Sequence, residues 1–247
     1  MDMIRHQSKE EEDTTKRFIK LFRNTPIPDD EILMNLGLYL NSQNIARIIF
    51  FYEMYKKIVN THGVIMEFGT RWGQTLAILS ALRGIFEPFN RTRRIIGFDT
   101  FSGLTGSKLN DGKALDGMFG VTDEYDKYLE DVLKCQEDFN PISHIKKFDI
   151  IKGDVRNTLP EYLDNNKEII ISMAIFDMDI YEPTVETLRG ILRYVHAGSI
   201  LVFDDLLDEV FPGETIAVRE VFDINRLKIK KIPAVSRISY IECEEIR

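Results

Sequence analysis

Five short apolar runs punctuate the chain, and each of them meets a glycine or an aspartate near its end. The runs cover residues 63–69, 93–101, 148–154, 168–179 and 199–205. Stretches with the helical spacing of apolar residues separate them, as in QTLAILSALRGIF at residues 74–86. Short buried strands that alternate with helices predict a mostly parallel sheet with helices on both faces. We therefore predict an α/β fold with a doubly wound sheet.

The remaining segments fit around that sheet. Residues 1–60 are predicted to form an N-terminal helical segment or cap, and residues 61–247 the main domain. Residues 102–140 are rich in Gly, Asp and Lys, and we interpret them as an insertion that serves as a lid or substrate loop. Pro183 suits the first turn of a helix that we expect to run to about His196. Near the end of the sequence, residues 226–233 and 236–244 alternate apolar and polar side chains and predict two more strands.

Charge and composition exclude several functional classes. The formal net charge is −8, which argues against nonspecific binding of nucleic acid, since phosphates require a basic surface. Two cysteines without a metal-binding spacing fit a reducing compartment. We see no secretory signal and no apolar run long enough to span a membrane, so we expect a cytoplasmic protein.

Two acidic pairs follow apolar runs and require an explanation. Asp177 and Asp179 lie in AIFDMDIY, and Asp204 and Asp205 lie in ILVFDDLL. On a strand, Asp177 and Asp179 would share one face, whereas the adjacent pair can reach one site only if the strand ends there. If these strands are neighbours, the carboxylates converge, and without compensation they would repel one another. A Mg²⁺ ion resolves this repulsion. The alternative is that each acid caps a helix or forms a surface ion pair by itself.

The other signal is the glycine turn MEFGTRWGQT. Gly69 and Gly73 let a ligand approach the backbone at the start of a helix, although a turn that needs glycine only for its conformation is the alternative. Asp99 ends the second run, and an acid at that place can accept both hydroxyls of a ribose. Asp154, in KGDVRNTLP, either contacts an adenine edge or simply forms a turn. The glycine turn together with Asp99 favours binding of an adenosine-containing cofactor.

These motifs together resemble a known family. EFGTRWG, IIGFDTF, GDVRNTLP, FDMDIYEPT and LVFDD are similar to segments of class I S-adenosylmethionine-dependent methyltransferases, over roughly residues 60–210. The DxDxYxxT pattern followed by DD resembles, more narrowly, the macrocin O-methyltransferase (TylF-like) family of metal-dependent sugar O-methyltransferases. This resemblance implies a Rossmann-like, seven-stranded, mostly parallel sheet whose last strand is antiparallel.

The resemblance also implies roles for individual residues. Asp179 would be the general base, and Asp177, Asp204 and Asp205 would hold Mg²⁺. The residues that would bind S-adenosylmethionine are Glu67, Gly69, Thr70, Arg71, Gly73, Gln74, Thr75, Asp99, Thr100, Phe101, Ser102, Gly153, Asp154, Val155 and Asp177.

We accordingly expect a Mg²⁺-dependent enzyme that methylates a hydroxyl of a sugar or sugar-like polar metabolite, in the biosynthesis of a surface glycan or a natural product. Its partner would be that small-molecule acceptor, a sugar, a sugar nucleotide or a glycan, and we expect a homo-oligomer, a dimer. Two alternatives remain. One is an oxidoreductase with a nucleotide cofactor, which would leave the four acids unexplained. The other is a non-catalytic protein that binds an adenosine cofactor.

Overall fold

The computed structural model describes residues 8–245, which form two compact units with the boundary between Arg47 and Ile48. The predicted domain boundary after residue 60 is not tested by this division and stays a prediction. The α-helices of the described residues are α1 (Lys9–Arg23), α2 (Ser42–Ile58), α3 (Gln74–Phe86), α4 (Tyr125–Asp138), α5 (Val155–Asn165), α6 (Tyr181–Ile191) and α7 (Gly213–Val221). The strands are β1 (Val64–Phe68), β2 (Ile95–Asp99), β3 (Phe148–Lys152), β4 (Ile171–Phe176), β5 (Val195–Phe203) and β6 (Ser239–Glu242).

The first unit contains α1 and a short 3₁₀ helix at Leu33–Tyr39. Its first helix begins with reciprocal hydrogen bonds, in which Ser8 Oγ accepts the N–H of Glu11 and the Glu11 carboxylate accepts the N–H of Ser8. The aromatic rings of Phe22 and Tyr39 meet edge to face at 4.9 Å between centroids. No side chain of α1 is buried.

The second unit is built on one sheet with the strand order β3-β2-β1-β4-β5-β6. The first five strands pair in parallel, and β6 pairs antiparallel with β5. Because side chains alternate along a strand, Ile65 packs on the face covered by α2, α3 and α4, whereas Met66 and Phe68 pack on the face covered by α5, α6 and α7. The predicted α/β class, the helices on both faces and the antiparallel last strand are confirmed.

The predicted strand count of seven is wrong, because the described residues form six strands in this sheet. Residues 226–233 were expected to form the additional strand, but they make only an isolated bridge between Lys230 and Tyr240. Ile229 is 41% exposed, and Pro233 has no N–H for a ladder. The alternation of apolar and polar side chains at residues 226–233 therefore does not mark a strand with one buried face.

Two predicted boundaries also change. The helix that begins near Pro183 ends at Ile191, and His196 lies in β5 instead. The run at residues 168–179 is not a strand to its end, because β4 stops at Phe176 and both acids lie in the loop that follows. No helix of the described residues is long and apolar enough to cross a membrane.

Candidate active site

The carboxyl ends of the central strands form a common edge. Phe68, Phe176 and Phe203 are in register as the last residues of β1, β4 and β5. Beyond them, the N–H of Asp177 donates to the carbonyl oxygen of Phe68 (2.9 Å) and the N–H of Asp204 donates to that of Phe176 (3.0 Å). The two acidic pairs therefore begin side by side, as expected from neighbouring strands that both end there.

Three carboxylates gather at this edge. Oxygen atoms of Asp177, Asp179 and Asp205 all lie within 4.8 Å of one another. The structure thus brings together two members of the predicted metal set and the predicted base, while Asp204 lies beside them, with Oδ2 at 3.8 Å from Arg237 Nε. No contact in the structure tells base from ligand among these acids, so their assigned roles stay predictions.

Asp179 has an unusual backbone. Its φ is +62°, and the N–H of Ile180 donates to the carbonyl oxygen of Met178 at 2.7 Å, so Asp179 is the centre of a γ-turn. The positive-φ form of this turn is rare and strained, at a cost of about 1 kcal/mol or more. The sequence argument that placed both acids on one strand face does not apply. A turn, not a strand, directs the Asp179 side chain to its neighbours.

The environment of Asp179 disfavours its charge. Its side chain is buried, and burial followed by the charge of Asp205 raises the pKa of the Asp179 carboxyl well above its ordinary range. Burial also raises the pKa of Asp205. A carboxyl whose pKa is raised in this way is suited to accept a proton.

Arg237 supplies positive charge to the acids, and sequence reasoning did not identify it. Its guanidinium donates to Asp205 Oδ1, through Nε at 2.6 Å and also through Nη2, and it lies 3.9 Å from Asp208. The second oxygen of Asp205, Oδ2, is buried, and the Asp179 carboxyl lies within hydrogen-bonding reach of the Asp205 carboxylate. Carboxylate oxygens gathered in this way fit a hard divalent cation.

The glycine turn lies at the same edge, after β1. Gly69 and Gly73 have φ values of +93° and +74°, and Gly73 directly precedes α3. A Cβ at Gly69 would lie 1.8 Å from the carbonyl oxygen of Asp177, so only glycine allows the ends of β1 and β4 to approach so closely. Glu67, Thr70 and Thr75 are buried around this turn. The turn and the acids are thus in direct backbone contact.

Asp99 connects β2 to the glycine turn. Its carboxylate accepts the N–H of Arg71 at 2.7 Å and the N–H of Phe101 at 2.5 Å, while burial raises its pKa. Thr100 donates through its hydroxyl to the carbonyl oxygen of Gly103 (2.7 Å), and its hydroxyl accepts the N–H of Ser102 (3.2 Å). These residues form one hydrogen-bonded loop beside the turn.

Asp154 has a structural partner. It follows Gly153 after β3, caps α5 by accepting the N–H of Arg156 (3.0 Å), and also binds the Arg156 guanidinium, which lowers its pKa. Val155 is buried at the first position of α5. The turn-forming alternative for Asp154 is therefore part of its role, and a contact with adenine stays a prediction.

Two buried acids near the site carry no sequence signal. Glu214, on α7, accepts the N–H of Met178 at 3.0 Å and that of Asp205 at 3.3 Å. Asp111, in the insertion, accepts the N–H of Tyr181 at 2.6 Å. An acid in the first turn of a helix or in a polar loop is ordinary, so only the tertiary contacts reveal them.

Comparison with known proteins identifies the family. No family model and no curated protein matches this chain. Among solved structures, CalS11, described as a calicheamicin methyltransferase, is 38% identical with a TM-score of 0.93, covering 96% of this chain and 94% of that one. An apo structure of CalS11, described as a TDP-rhamnose 3'-O-methyltransferase, is 37% identical with a TM-score of 0.86 and covers 96% of each chain.

A more distant structure shares the fold. The O-methyltransferase NovP is 19% identical with a TM-score of 0.62, covering 80% of this chain and 79% of that one. The glycine turn, the acidic strand ends and the similarity to CalS11 over nearly the whole chain agree with one another. The chain belongs to the class I S-adenosylmethionine-dependent methyltransferases and, within them, to the O-methyltransferases related to the TylF-like family.

Proposed function

We propose that this enzyme transfers a methyl group from S-adenosylmethionine to a hydroxyl of a sugar, and that the sugar is presented as a nucleotide-linked deoxyhexose. The observation that carries the proposal is the group of Asp177, Asp179 and Asp205 beside the glycine turn. The nucleotide-linked sugar is inferred from CalS11, whose described substrate is TDP-rhamnose.

S-adenosylmethionine would bind along the carboxyl edge, from the turn after β1 to the loops after β2 and β3. Glu67 to Thr75 would hold the methionine part, Asp99 the ribose, and Gly153 to Val155 the adenine. Asp99 already accepts two backbone N–H groups, but each carboxylate oxygen has a further lone pair for a ribose hydroxyl. The cofactor supplies an activated methyl group on a positively charged sulfur.

Asp179 would accept the proton of the acceptor hydroxyl. The acceptor oxygen would then form a bond to the methyl carbon as the carbon–sulfur bond breaks. The electron pair of the broken carbon–sulfur bond would stay on sulfur. The leaving thioether is neutral and needs no acid. The raised pKa of Asp179 suits it to this step, and much of the rate would come from holding donor and acceptor in line.

We further propose that Asp177, Asp204 and Asp205 hold a Mg²⁺ ion. A divalent cation there would supply Lewis acidity beside the acceptor oxygen. The carboxylate oxygens that gather at this edge support this assignment. Residues 102–140 would line the acceptor site as its lid. A homodimer and a cytoplasmic location also belong to this proposal.

The test is methyl transfer from S-adenosylmethionine to TDP-rhamnose, followed by mass spectrometry. We expect Asp179→Asn to lower kcat by at least about a hundredfold, the range of a lost general base. Asp177→Ala should abolish activity, because it removes a proposed ligand of the metal. Asp164→Asn, an exposed change on α5 that removes the same charge, is the matched control and should leave the rate unchanged.

Three results would contradict the proposal separately. Wild-type activity in Asp179→Asn would exclude Asp179 as the base. Full activity after exhaustive chelation would exclude the metal. Calorimetric binding of NAD but not of S-adenosylmethionine would favour the oxidoreductase alternative over methyl transfer.

A further inference from the structure

The loop that carries Asp179 is held from outside its own strand and helix. Asp179 is the centre of a γ-turn between Met178 and Ile180, in a left-handed conformation that a non-glycine residue rarely adopts. Such a conformation persists only when its surroundings fix it. The contacts on either side of Asp179 therefore determine where its carboxyl points.

Glu214 holds the first side of the turn. It is completely buried on α7, and its Oε1 accepts the N–H of Met178 at 3.0 Å while its Oε2 accepts the N–H of Asp205 at 3.3 Å. One carboxyl group thus joins the loop after β4 to the loop after β5. Its two oxygens fix the spacing between the backbones that carry the two acids, whichever protonation state Glu214 has.

Asp111 holds the other side. It is 1% exposed, and its Oδ1 accepts the N–H of Tyr181, the first residue of α6, at 2.6 Å. Its Oδ2 accepts the N–H of Lys108 at 2.7 Å, within the insertion itself. Asp111 therefore caps α6 from a segment about 70 residues earlier in the chain.

Close packing locks this arrangement. A Cβ at Gly213 would lie 2.7 Å from the carbonyl oxygen of Asp179 and 2.8 Å from Asp111 Oδ1, so the start of α7 touches both. Nearby, the insertion residues Ala114 and Met118 pack with Ile180 in a small apolar cluster. The insertion is thus a fixed support of the turn that carries Asp179.

We propose that Asp111 and Glu214 are positioning residues that hold the Asp179 carboxyl where it can take the acceptor proton, an inference that rests on the proposed function. Asp111 belongs to the same segment that we propose as the lid over the acceptor. Changes in that segment would therefore alter the rate of the chemical step as well as acceptor binding.

The first experiment needs no substrate. Asp111→Asn and Glu214→Gln each retain one accepting oxygen and lose the other, so each removes one of two backbone hydrogen bonds. Amide hydrogen exchange is measured residue by residue by NMR. In Asp111→Asn we expect amide exchange at Tyr181 or Lys108 to be about tenfold faster than in the wild type. In Glu214→Gln we expect the same acceleration at Met178 or Asp205. Exchange at the amides of β1 should be unchanged in both variants.

The second experiment measures kinetics with S-adenosylmethionine and TDP-rhamnose. Each variant should lower kcat about tenfold while KM for S-adenosylmethionine stays within about twofold. Asp164→Asn on α5 and Glu209→Gln before α7 are exposed matched controls, which should match the wild type. In the Asp179→Asn background, Asp111→Asn should cause no further loss, because its effect acts through Asp179.

The outcomes separate this inference from the function. Unchanged exchange at all four amides, or losses that add fully to that of Asp179→Asn, would overturn the positioning role. Wild-type activity in Asp179→Asn would overturn the proposed base, and absence of turnover by the wild type would overturn the proposed substrate. In either case the exchange data still decide whether the two carboxyls hold the turn.

Discussion

Replacement of Arg237 by Gln should destabilise the metal-free protein and increase its response to Mg²⁺. Arg237 is the cation that binds Asp205, which is fully buried, whereas the arginine side chain itself is 55% exposed. Removing one partner of a fully buried ion pair costs about 3–5 kcal/mol, and an exposed pair contributes about 1 kcal/mol or less. Because one partner is buried and the other is half-exposed, we expect Arg237→Gln to lower the free energy of unfolding by about 2 kcal/mol.

That loss corresponds to a measurable shift. In a domain of this size, about 1 kcal/mol changes the melting temperature by roughly 2–4 °C, so Arg237→Gln should melt roughly 4–8 °C lower in EDTA. A divalent cation should restore more stability to the variant than to the wild type, because no guanidinium then repels it. Arg237→Lys, which keeps the charge but not the paired N–H donors, should lie between the two.

The stability lost in Arg237→Gln should also depend on pH in a defined direction. Burial raises the pKa of Asp205 in the folded protein, so its ionisation disfavours folding as pH rises. Arg237 offsets this cost, and its loss should therefore matter more at about pH 8 than at about pH 5, because acidification shifts Asp205 towards its neutral form. Melting in EDTA and in Mg²⁺ at both pH values is the assay. Equal melting temperatures in EDTA within about 1 °C, or equal gains from Mg²⁺, would refute the reasoning.

Two further predictions concern the protonation of Asp179 and thiol reactivity. Because burial and the charge of Asp205 raise the pKa of Asp179, the metal-free protein should protonate this carboxyl above the ordinary aspartate range, and an NMR titration of Asp179 at ordinary aspartate values would contradict its environment. Burial raises the pKa of the Cys243 thiol to about 12, while Cys135 is exposed. The native protein at about pH 8 should therefore react with a thiol reagent at Cys135 alone. After denaturation, both thiols should react. Rapid native labelling of Cys243, seen by peptide mass spectrometry, would show that its surroundings are open.

The sequence predicts the parallel sheet because its signals are local. Each of the first five strands is a short apolar run, and glycine or aspartate marks its end, so the carboxyl edge with Asp99, Asp177 and Asp204 can be found without coordinates. Where a run continues beyond its strand, the prediction fails. Met178 and Ile180 are buried in the loop after β4, and with the two acids they imitate a strand that is not there.

The parts of the site that were missed depend on distant contacts. Arg237 reaches Asp205 from 32 positions away, and Asp111 reaches Tyr181 from 70 positions away. Neither residue differs locally from any other polar side chain in a loop. Glu214 looks like an ordinary acid in the first turn of a helix, where its negative charge would interact favourably with the helix dipole. Only the folded backbone shows that its oxygens are used elsewhere.

The strand order also dictates when the site can form during synthesis. β1 lies in the centre of the sheet, yet its partner β4 follows about a hundred residues later, with Val64 paired to Ile171. Parallel pairings between strands so far apart in sequence form slowly, and the edge of β1 stays unpaired until β4 has been synthesised. The acids after β4 and β5 cannot be fixed until Glu214 and Arg237 have also emerged from the ribosome. A nascent chain that stalls after β5 would therefore carry the acids of the site without the residues that hold them.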